Sequence, residues 1–449
     1  MSELKKQPTG ELLDNKPKTN YRWVIIFMLW LLYLINYFDR TAVLTFLPFI
    51  REDLSLTHQQ VGVAASVFFF AYAVAQILAG WLADKIGSKK VMGIAIFVFT
   101  FVTFVTGLVK NFTQFFLIRL GLGLGEGHHF APANRCIADW FPNKEKGRAA
   151  SILATTWAVG PAIIPITVTA LAAAFGSWRP VFYVLAVPGA LGIFCLFYWV
   201  FNNPREAMAK GRCSLEEVKY IEEGLTEGLM KEGEKFDTKK ALGIIFRDKS
   251  FICYCLMLFC ALAIYWGSTT WISSFLYEQH GFSMQTMGAL VSLPYAVAMI
   301  SMMFGGTLMD KFFKSKAKPV LLLSFIPAIP ILFYLGSIEK GNVSLLVTVL
   351  VLNGFFVNLF WGVIYAYPQI RYPREMVGTA VGVSNGFGQL GSFMAPLVAG
   401  YLVYESAGVV YYTNVFIFFA GLAVLAGVLA LFLNEKPLDM SQITERKAS

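Results

Sequence analysis

Apolar positions fall in long unbroken runs. Twelve stand out, near 23–49, 59–83, 89–109, 113–140, 147–174, 179–201, 250–278, 283–310, 317–337, 342–370, 375–403 and 410–433. A helix rises 1.5 Å per residue, so about twenty such residues cross a hydrocarbon core of about 30 Å. Inside a bilayer every backbone amide needs an internal partner, which leaves helices and closed barrels, and unbroken apolar runs specify helices. The pattern breaks once, over residues 202–247, a charged stretch that contains Pro204 and an amphipathic segment around Leu215–Leu225. Six runs precede it and six follow. The expected fold is an all-α membrane protein of twelve transmembrane helices in two six-helix bundles. The expected divisions are a tail 1–22, a first bundle 23–201, a linker 202–247, a second bundle 248–433 and a tail 434–449. Residues 205–240 of the linker are expected to pack loosely on the cytoplasmic face and to touch no ligand.

Composition agrees. The chain of 449 residues is 57% hydrophobic and 14% charged, whereas a soluble domain is nearer half apolar and a quarter charged. Its net charge of +9 is not a nucleic-acid footprint, because the bases occupy alternate loops. Lys85, Lys89 and Lys90, then Lys144, Lys146 and Arg148, then Lys311, Lys314, Lys316 and Lys318 share one side with the basic tail. Arg51, Lys110, Arg179 and Lys340 are the few on the other. By the positive-inside rule both termini are expected in the cytoplasm of a multi-pass protein of the cell (inner) membrane.

Four ionisable residues interrupt the apolar runs. Arg119 and Glu126 lie in 113–140, and Asp39 and Arg40 end the stretch LLYLINYFDR. A charge at that depth costs roughly 2.5–3.5 kcal/mol on insertion scales, so each needs a partner or a water-filled cavity, and function is the default reading. Arg119 and Glu126, two turns apart, share one helix face; Asp39 and Arg40 diverge by about 100°. Depth along the helix axes pairs Asp39 with Arg119 and leaves Arg40 to Glu126. The second half offers neutral groups instead: Tyr265, Trp266, Asn358, Trp361, Tyr365, Asn385 and Gln389. Tyr37, Tyr72, Gln76 and Trp157 complete the set in the first half. A site with charge on one wall and amides and aromatics on the other suits a small organic anion with a polar body. His129 follows Glu126 by three residues and can reach the same face, whereas His128 points away; His58 and His280 fall in outer loops and are expected to be solvated.

Gly121, Gly123, Gly125 and Gly127 sit inside an apolar helix, so they read as close helix packing and not as a nucleotide loop. No metal spacing, P-loop or nucleophile motif occurs, and no cofactor or enzymatic chemistry is expected. Gly80-Trp-Leu-Ala-Asp84-Lys85-Ile-Gly87 closes the second run, and Gly306-Thr-Leu-Met-Asp310-Lys311 repeats it at the corresponding place in the second half, as expected of a duplicated unit.

The turn GWLADKIGSKK, the YFDR of the first run and the IRLGLGLGEG of the fourth resemble the major facilitator superfamily. More narrowly they resemble its anion:cation symporter family, which includes bacterial sugar-acid permeases. The resemblance implies a two-bundle rocker with a central site, coupled to protons. It implies that Asp39 and Glu126 are protonatable coupling groups, and that Arg40, Arg119, Tyr37 and Tyr72 form the first-half site. Asn358, Trp361 and Asn385 fall where the second-half contacts lie. Gly80, Asp84, Gly87 and Asp310 match the gating turns. The His128-His129 pair and Trp157 depart from the sugar-acid permeases, so the substrate need not be a simple hexonate. The expected partners are a small organic anion, a proton and the bilayer, for a monomer. Sodium-coupled symport and anion exchange are the runner-up mechanisms, and a non-transporting sensor is the remote one.

Overall fold

The structure is a computed structural model that describes residues 19–226 and 238–438. Residues 1–18 and 439–449, most of the two expected tails, and 227–237 of the linker lie outside the described residues. The first half contains Tyr21–Asp53 (α1), His58–Ile86 (α2), Ser88–Thr106 (α3), Phe112–Trp140 (α4), Asn143–Ala154 (α5), Thr156–Phe175 (α6) and Arg179–Trp199 (α7). Pro204–Ala209 (α8), Leu215–Thr226 (α9) and Thr238–Ile245 (α10) follow. The second half contains Lys249–Ser274 (α11), extended by a π-helical turn Phe275–Gln279, then Met284–Lys311 (α12), Lys318–Leu335 (α13) and Val343–Phe356 (α14). A 3-10 turn Leu359–Gly362 leads to Ala366–Arg371 (α15) and Arg374–Leu402 (α16). A hairpin of Tyr404–Ser406 (β1) and Val409–Tyr411 (β2) precedes Thr413–Leu431 (α17). Ala407 and Gly408 both take positive φ at its tip, the backbone a two-residue hairpin turn requires.

Counting α5 with α6 and α14 with α15, these helices make twelve crossings in two bundles of six. Ten described segments are long and apolar enough to cross a membrane. The other two crossings are α4, which carries Arg119 and Glu126, and α16, which carries Asn385 and Gln389. Their polarity belongs to the interior between the bundles.

The α4 glycines behave as their spacing predicts. A Cβ at Gly123 would stand 2.3 Å from the Phe68 carbonyl oxygen of α2, and one at Gly127 2.6 Å from that of Tyr72. Gly125 meets the backbone of Phe99 in α3 at 3.1 Å. In the turn after α2, Gly80 has nothing within 4 Å among the described residues, so it makes no close helix contact. Gly87 takes φ +88°, which favours glycine, and turns the chain into α3. Asp84 pairs with Arg135 of α4 at 2.5 Å, whereas Asp310 of the repeated turn is exposed and makes no ion pair among the described residues.

The crossing over 342–370 is not one helix. Pro368 cannot donate to the Ile364 carbonyl and its ring crowds that oxygen. The carbonyl accepts instead from Tyr254 Oη at 2.5 Å, and the segment breaks into α14, the 3-10 turn and α15.

The linker is not loosely packed in its described part. Glu217 of α9 is fully buried and caps the start of α1: its carboxylate accepts from the Tyr21 amide (2.8 Å), the Arg22 amide (3.1 Å) and the Thr19 hydroxyl (2.6 Å). Arg22 bridges Glu217 and Glu145 of α5. Glu217 stays ionised below the usual glutamate range. Burial opposes the charge, but hydrogen bonds from Thr19, the Arg22 and Tyr21 amides and the Arg22 guanidinium outweigh it. Apolar Val218 and Ile221 are buried on the same face.

The bundles meet most closely at the end away from the linker. A Cβ at Gly62 of α2 would stand 2.8 Å from the Pro396 carbonyl and 3.2 Å from Gly400 Cα of α16. Gly288 of α12 lies against Thr169 and Pro165 of α6 in the same way. Glu278 then joins the halves. It accepts from Arg51 Nε (2.9 Å), bonds His58 Nε2 (2.7 Å) and accepts from Tyr412 Oη (2.8 Å). His58 is therefore bonded and His280 is buried, contrary to the solvated reading of both.

Candidate functional site

Between the bundles lies a cavity of about 570 Å³. Its walls run toward the linker end, through Asn134 of α4, Ser151 of α5 and Gln369 of α15, while the far end is closed by the contacts above. Tyr37, Arg40, Tyr72, Trp157, Trp361 and Asn385 line it, as the sequence predicts. Arg119, His129 and Asn358 do not.

Arg40 supplies the charge. It is 3% exposed, and its guanidinium meets Glu126 on the neighbouring α4: Nε donates to Oε2 at 2.9 Å and Nη2 lies 2.7 Å from the same oxygen. Glu126 is fully buried and its Oε1 has no hydrogen-bond partner among the described residues. Rings hold the guanidinium in place: Tyr72 at 4.6 Å, Phe68 at 4.9 Å, Tyr37 at 5.2 Å and, from the second half, Trp266 at 5.3 Å. Desolvated cation–π contacts of this kind are worth about 2 kcal/mol. One face of Arg40 is thus committed to Glu126 and another to the cavity.

The expected Asp39–Arg119 pair is not formed; no ion pair within 4.0 Å involves either residue among the described residues. Equal depth does not set the direction round the axis. Asp39, one residue from Arg40, turns toward α3, where it faces Thr103. Arg119 is fully buried with its Cζ 4.4 Å from the Phe68 centroid, and its Nε donates to the Ala64 carbonyl at 3.3 Å. Its two terminal nitrogens have no hydrogen-bond partner among the described residues. Phe68 therefore contacts both guanidinium groups.

His129 is buried between aromatic rings, 5.5 Å from Tyr33 and 6.2 Å from Phe99, with both nitrogens unpaired among the described residues. Asn358 turns back on its own helix, donating to Gly354 at 2.9 Å, because the segment leaves helical geometry just beyond it.

In the second half, Trp361 packs against Trp157 of the first half, their centroids 5.7 Å apart, and stands 5.4 Å from Tyr265. Its indole N–H is buried without an acceptor. Asn385 accepts from Tyr365 Oη at 3.5 Å, and Gln389 lines the same wall one turn on. Sequence reasoning missed Tyr33, Phe130, Asn134, Ser151 and Gln369 as lining residues. Tyr33 was within reach, one turn before Tyr37 on the same face. Gln369 depends on the broken crossing and leaves no periodic signal.

A family model described as Major Facilitator Superfamily matches residues 29–396 and 340–448. The probable sulfoacetate transporter SauU of Cupriavidus necator is 30% identical over 424 residues, covering 93% of this chain and 95% of that protein. The probable galactarate/D-glucarate transporter GudP of Bacillus subtilis is 27% identical, covering 94% and 93%. Among solved structures, a bacterial homologue of the human lysosomal transporter Spinster, inward-facing and unoccupied, has a TM-score of 0.71 at 18% identity, covering 93% of this chain and 95% of that one. A D-xylose-proton symporter has a TM-score of 0.71 at 16% identity, covering 93% and 100%. Two helical bundles that close at one end over a buried ion pair, and a match along nearly the whole chain, lead to one assignment: this membrane protein belongs to the Major Facilitator Superfamily of transporters and is not an enzyme.

Proposed function

We propose that this protein imports a small organic anion across the cell (inner) membrane by proton symport, through alternating access of the two bundles. The observation that carries the reading is Arg40, which lines the cavity while bonded to the buried Glu126. With Glu126 ionised, the carboxylate holds the guanidinium and competes with an incoming anion. A proton on Glu126 removes that competitor, so proton and anion bind cooperatively, and the coupling is reciprocal. Arginine's planar fork suits a carboxylate or sulfonate. Relatives named as sulfoacetate, galactarate/D-glucarate and D-galactonate transporters support this substrate class.

Asp39 is the second protonatable group. It is 2% exposed and has no cation within 4.0 Å among the described residues, where a neutral acid is far cheaper to bury than a carboxylate. Arg119 and His129 sit behind the cavity wall and act on the site through Glu126 and Tyr33, not by touching the substrate. Tyr37, Tyr72, Trp157, Trp361 and Asn385 contact the substrate body. Gly80, Asp84, Gly87 and Asp310 belong to the gating turns at the linker end. That end is cytoplasmic, from its excess of lysine and arginine, and the protein works as a monomer.

Purified protein in proteoliposomes tests the reading. Uptake of labelled sugar acids and sulfonates is compared under an inward proton gradient, a sodium gradient and neither. Accumulation under the proton gradient alone supports symport; accumulation under sodium alone, or exchange without either, selects the runner-up mechanisms.

A further inference from the structure

Asn36 of α1 is fully buried, and neither its amide oxygen nor its amide nitrogen has a hydrogen-bond partner among the described residues. Thr100 and Thr103 of α3 are 9% and 2% exposed, and their hydroxyls are likewise unpartnered among the described residues. Threonine in an apolar helix ordinarily bonds its own backbone. Thr45, Thr106, Thr169, Thr269 and Thr270 each donate to the carbonyl four residues earlier, at 2.6–2.9 Å. Thr100 and Thr103 forgo that bond, and Asp39 faces Thr103. We propose that Asp39, Asn36, Thr100 and Thr103 form a site for a sodium ion, which competes there with the proton.

The register of α1 and α3 brings the four together. The two helices cross in the same direction, with α2 returning between them. Gly192 of α7 marks one level: a Cβ there would stand 3.0 Å from Leu32 of α1 and 4.0 Å from Ile96 of α3. One turn farther on, Asn36 follows Leu32 by four residues as Thr100 follows Ile96. Asp39 then follows Asn36 by three residues as Thr103 follows Thr100. Each pair therefore lies level, and the two levels are about 4.5 Å apart along the axis. Gly189 of α7 backs the Asn36 level, where a Cβ would stand 2.2 Å from Thr100 Oγ1.

The donors are a carboxylate, an amide oxygen and two hydroxyls. These are hard oxygens with no imidazole or thiol among them, a set for a hard cation and not for a transition metal. One carboxylate balances one charge, which selects a monovalent ion, and so few oxygens favour a small one. The surrounding charges admit it. Arg40, Arg119, Glu126 and Asp39 sum to zero when both carboxylates are ionised. A cation at Asp39 leaves one positive charge in this buried group, and an anion at Arg40 cancels it. A proton does the same, so sodium takes its place where protons are scarce. The other ionisable groups near Asp39 are Arg40 on its own helix and Arg119, Glu126 and His129 on α4. α3 carries no charged side chain beyond Lys90, and α7 none beyond Arg179.

Binding of radiolabelled sodium to the detergent-solubilised full chain at alkaline pH tests this without transport. Saturable binding is expected, displaced by unlabelled sodium and not by choline, and weakening as pH falls. Protons on Glu126 or His129 move that profile in the same direction, so the assignment rests on variants. Asp39→Asn should abolish binding. Thr100→Val and Thr103→Val keep the shape and remove one oxygen each. Each should weaken binding at least about tenfold, the loss that even an outer partner of a metal ligand brings. Thr103→Ser, which restores the oxygen, should recover it. Thermal unfolding curves separate lost binding from lost fold. No saturable binding by the unsubstituted chain, or binding that survives Asp39→Asn or both valine variants, would overturn the inference. The oxygens would then hold water alone, and the reading of Arg40 and Glu126 would stand. Sodium binding lost in Asp39→Asn, in a protein whose vesicles accumulate no anion, would uphold this site and overturn the transport reading instead.

Discussion

The Arg40 guanidinium lies 2.7 Å from Oε2 of Glu126 while it lines the cavity, and Oε1 of that carboxyl has no hydrogen-bond partner. A charged donor is thereby held on one acceptor with a second face free for another. Replacing arginine by lysine keeps the charge but removes the fork, so it cannot hold Glu126 and an anion together. Arg40→Lys is expected to fold and to lose about 1.5–3 kcal/mol of anion affinity, the usual worth of hydrogen bonds to charged groups. Titration calorimetry beside a thermal unfolding curve checks both parts.

Gly62 fits against α16 only because it has no side chain; a Cβ there would meet the Pro396 carbonyl at 2.8 Å. Gly62→Val should hold the far ends of the bundles apart. Spin labels at the exposed positions Lys110 and Lys340 should then move to longer distances than in the unsubstituted protein. Unchanged distances would show that α2 and α16 can shift without opening.

Glu278 accepts from both Arg51 and Tyr412 and bonds His58, so one carboxylate joins α1, α2 and the second half. Glu278→Gln keeps the size and removes the charge. Far-end closure should weaken by about 1–3 kcal/mol, the cost of losing charged hydrogen bonds at a mostly buried site. The same pair of labels reports it as a larger population at long distance, with substrate affinity at Arg40 retained.

Most of the fold was legible because a bilayer imposes it: a crossing must be long, apolar and helical, and ten described segments meet that demand, with α4 and α16 made less apolar by the groups they turn inward. The glycines of α4 were equally readable, since nothing else explains four of them inside an apolar helix. Contacts between distant segments were not. Glu278 lies 227 residues from Arg51 in sequence, and no local pattern marks either as a partner. Asp39 and Arg119 share a depth, yet the direction each takes round its axis depends on how α1 and α4 are rotated. The Arg40–Glu126 pair emerged as the remainder of the depth argument, whose other half, Asp39 with Arg119, is not formed. The capped start of α1 needed Glu217, and nothing in an amphipathic linker helix names its dock.

That dock makes its own pH prediction. The carboxyl of Glu217 is held below its ordinary value of 4.5, so its contribution is complete above that value and is lost as pH falls through the lower, folded-state value. The hydrogen-exchange protection factor over 214–226, corrected for intrinsic base catalysis, should be constant near neutrality and fall only in acid below about pH 4.5. In Glu217→Gln the low protection should already be present at pH 7. Equal protection in both proteins would mean that apolar Val218 and Ile221 hold α9 without the cap.

The account turns on Glu126 as the group that lets proton and anion share Arg40. Counterflow and gradient-driven uptake, measured in the same vesicles with Glu126→Gln, address it most directly. A permanently neutral side chain at 126 releases Arg40, so exchange of labelled for unlabelled substrate should continue, while accumulation under a pH step should disappear. Accumulation against the substrate gradient by Glu126→Gln when the pH step is applied would contradict the account and move the coupling proton elsewhere.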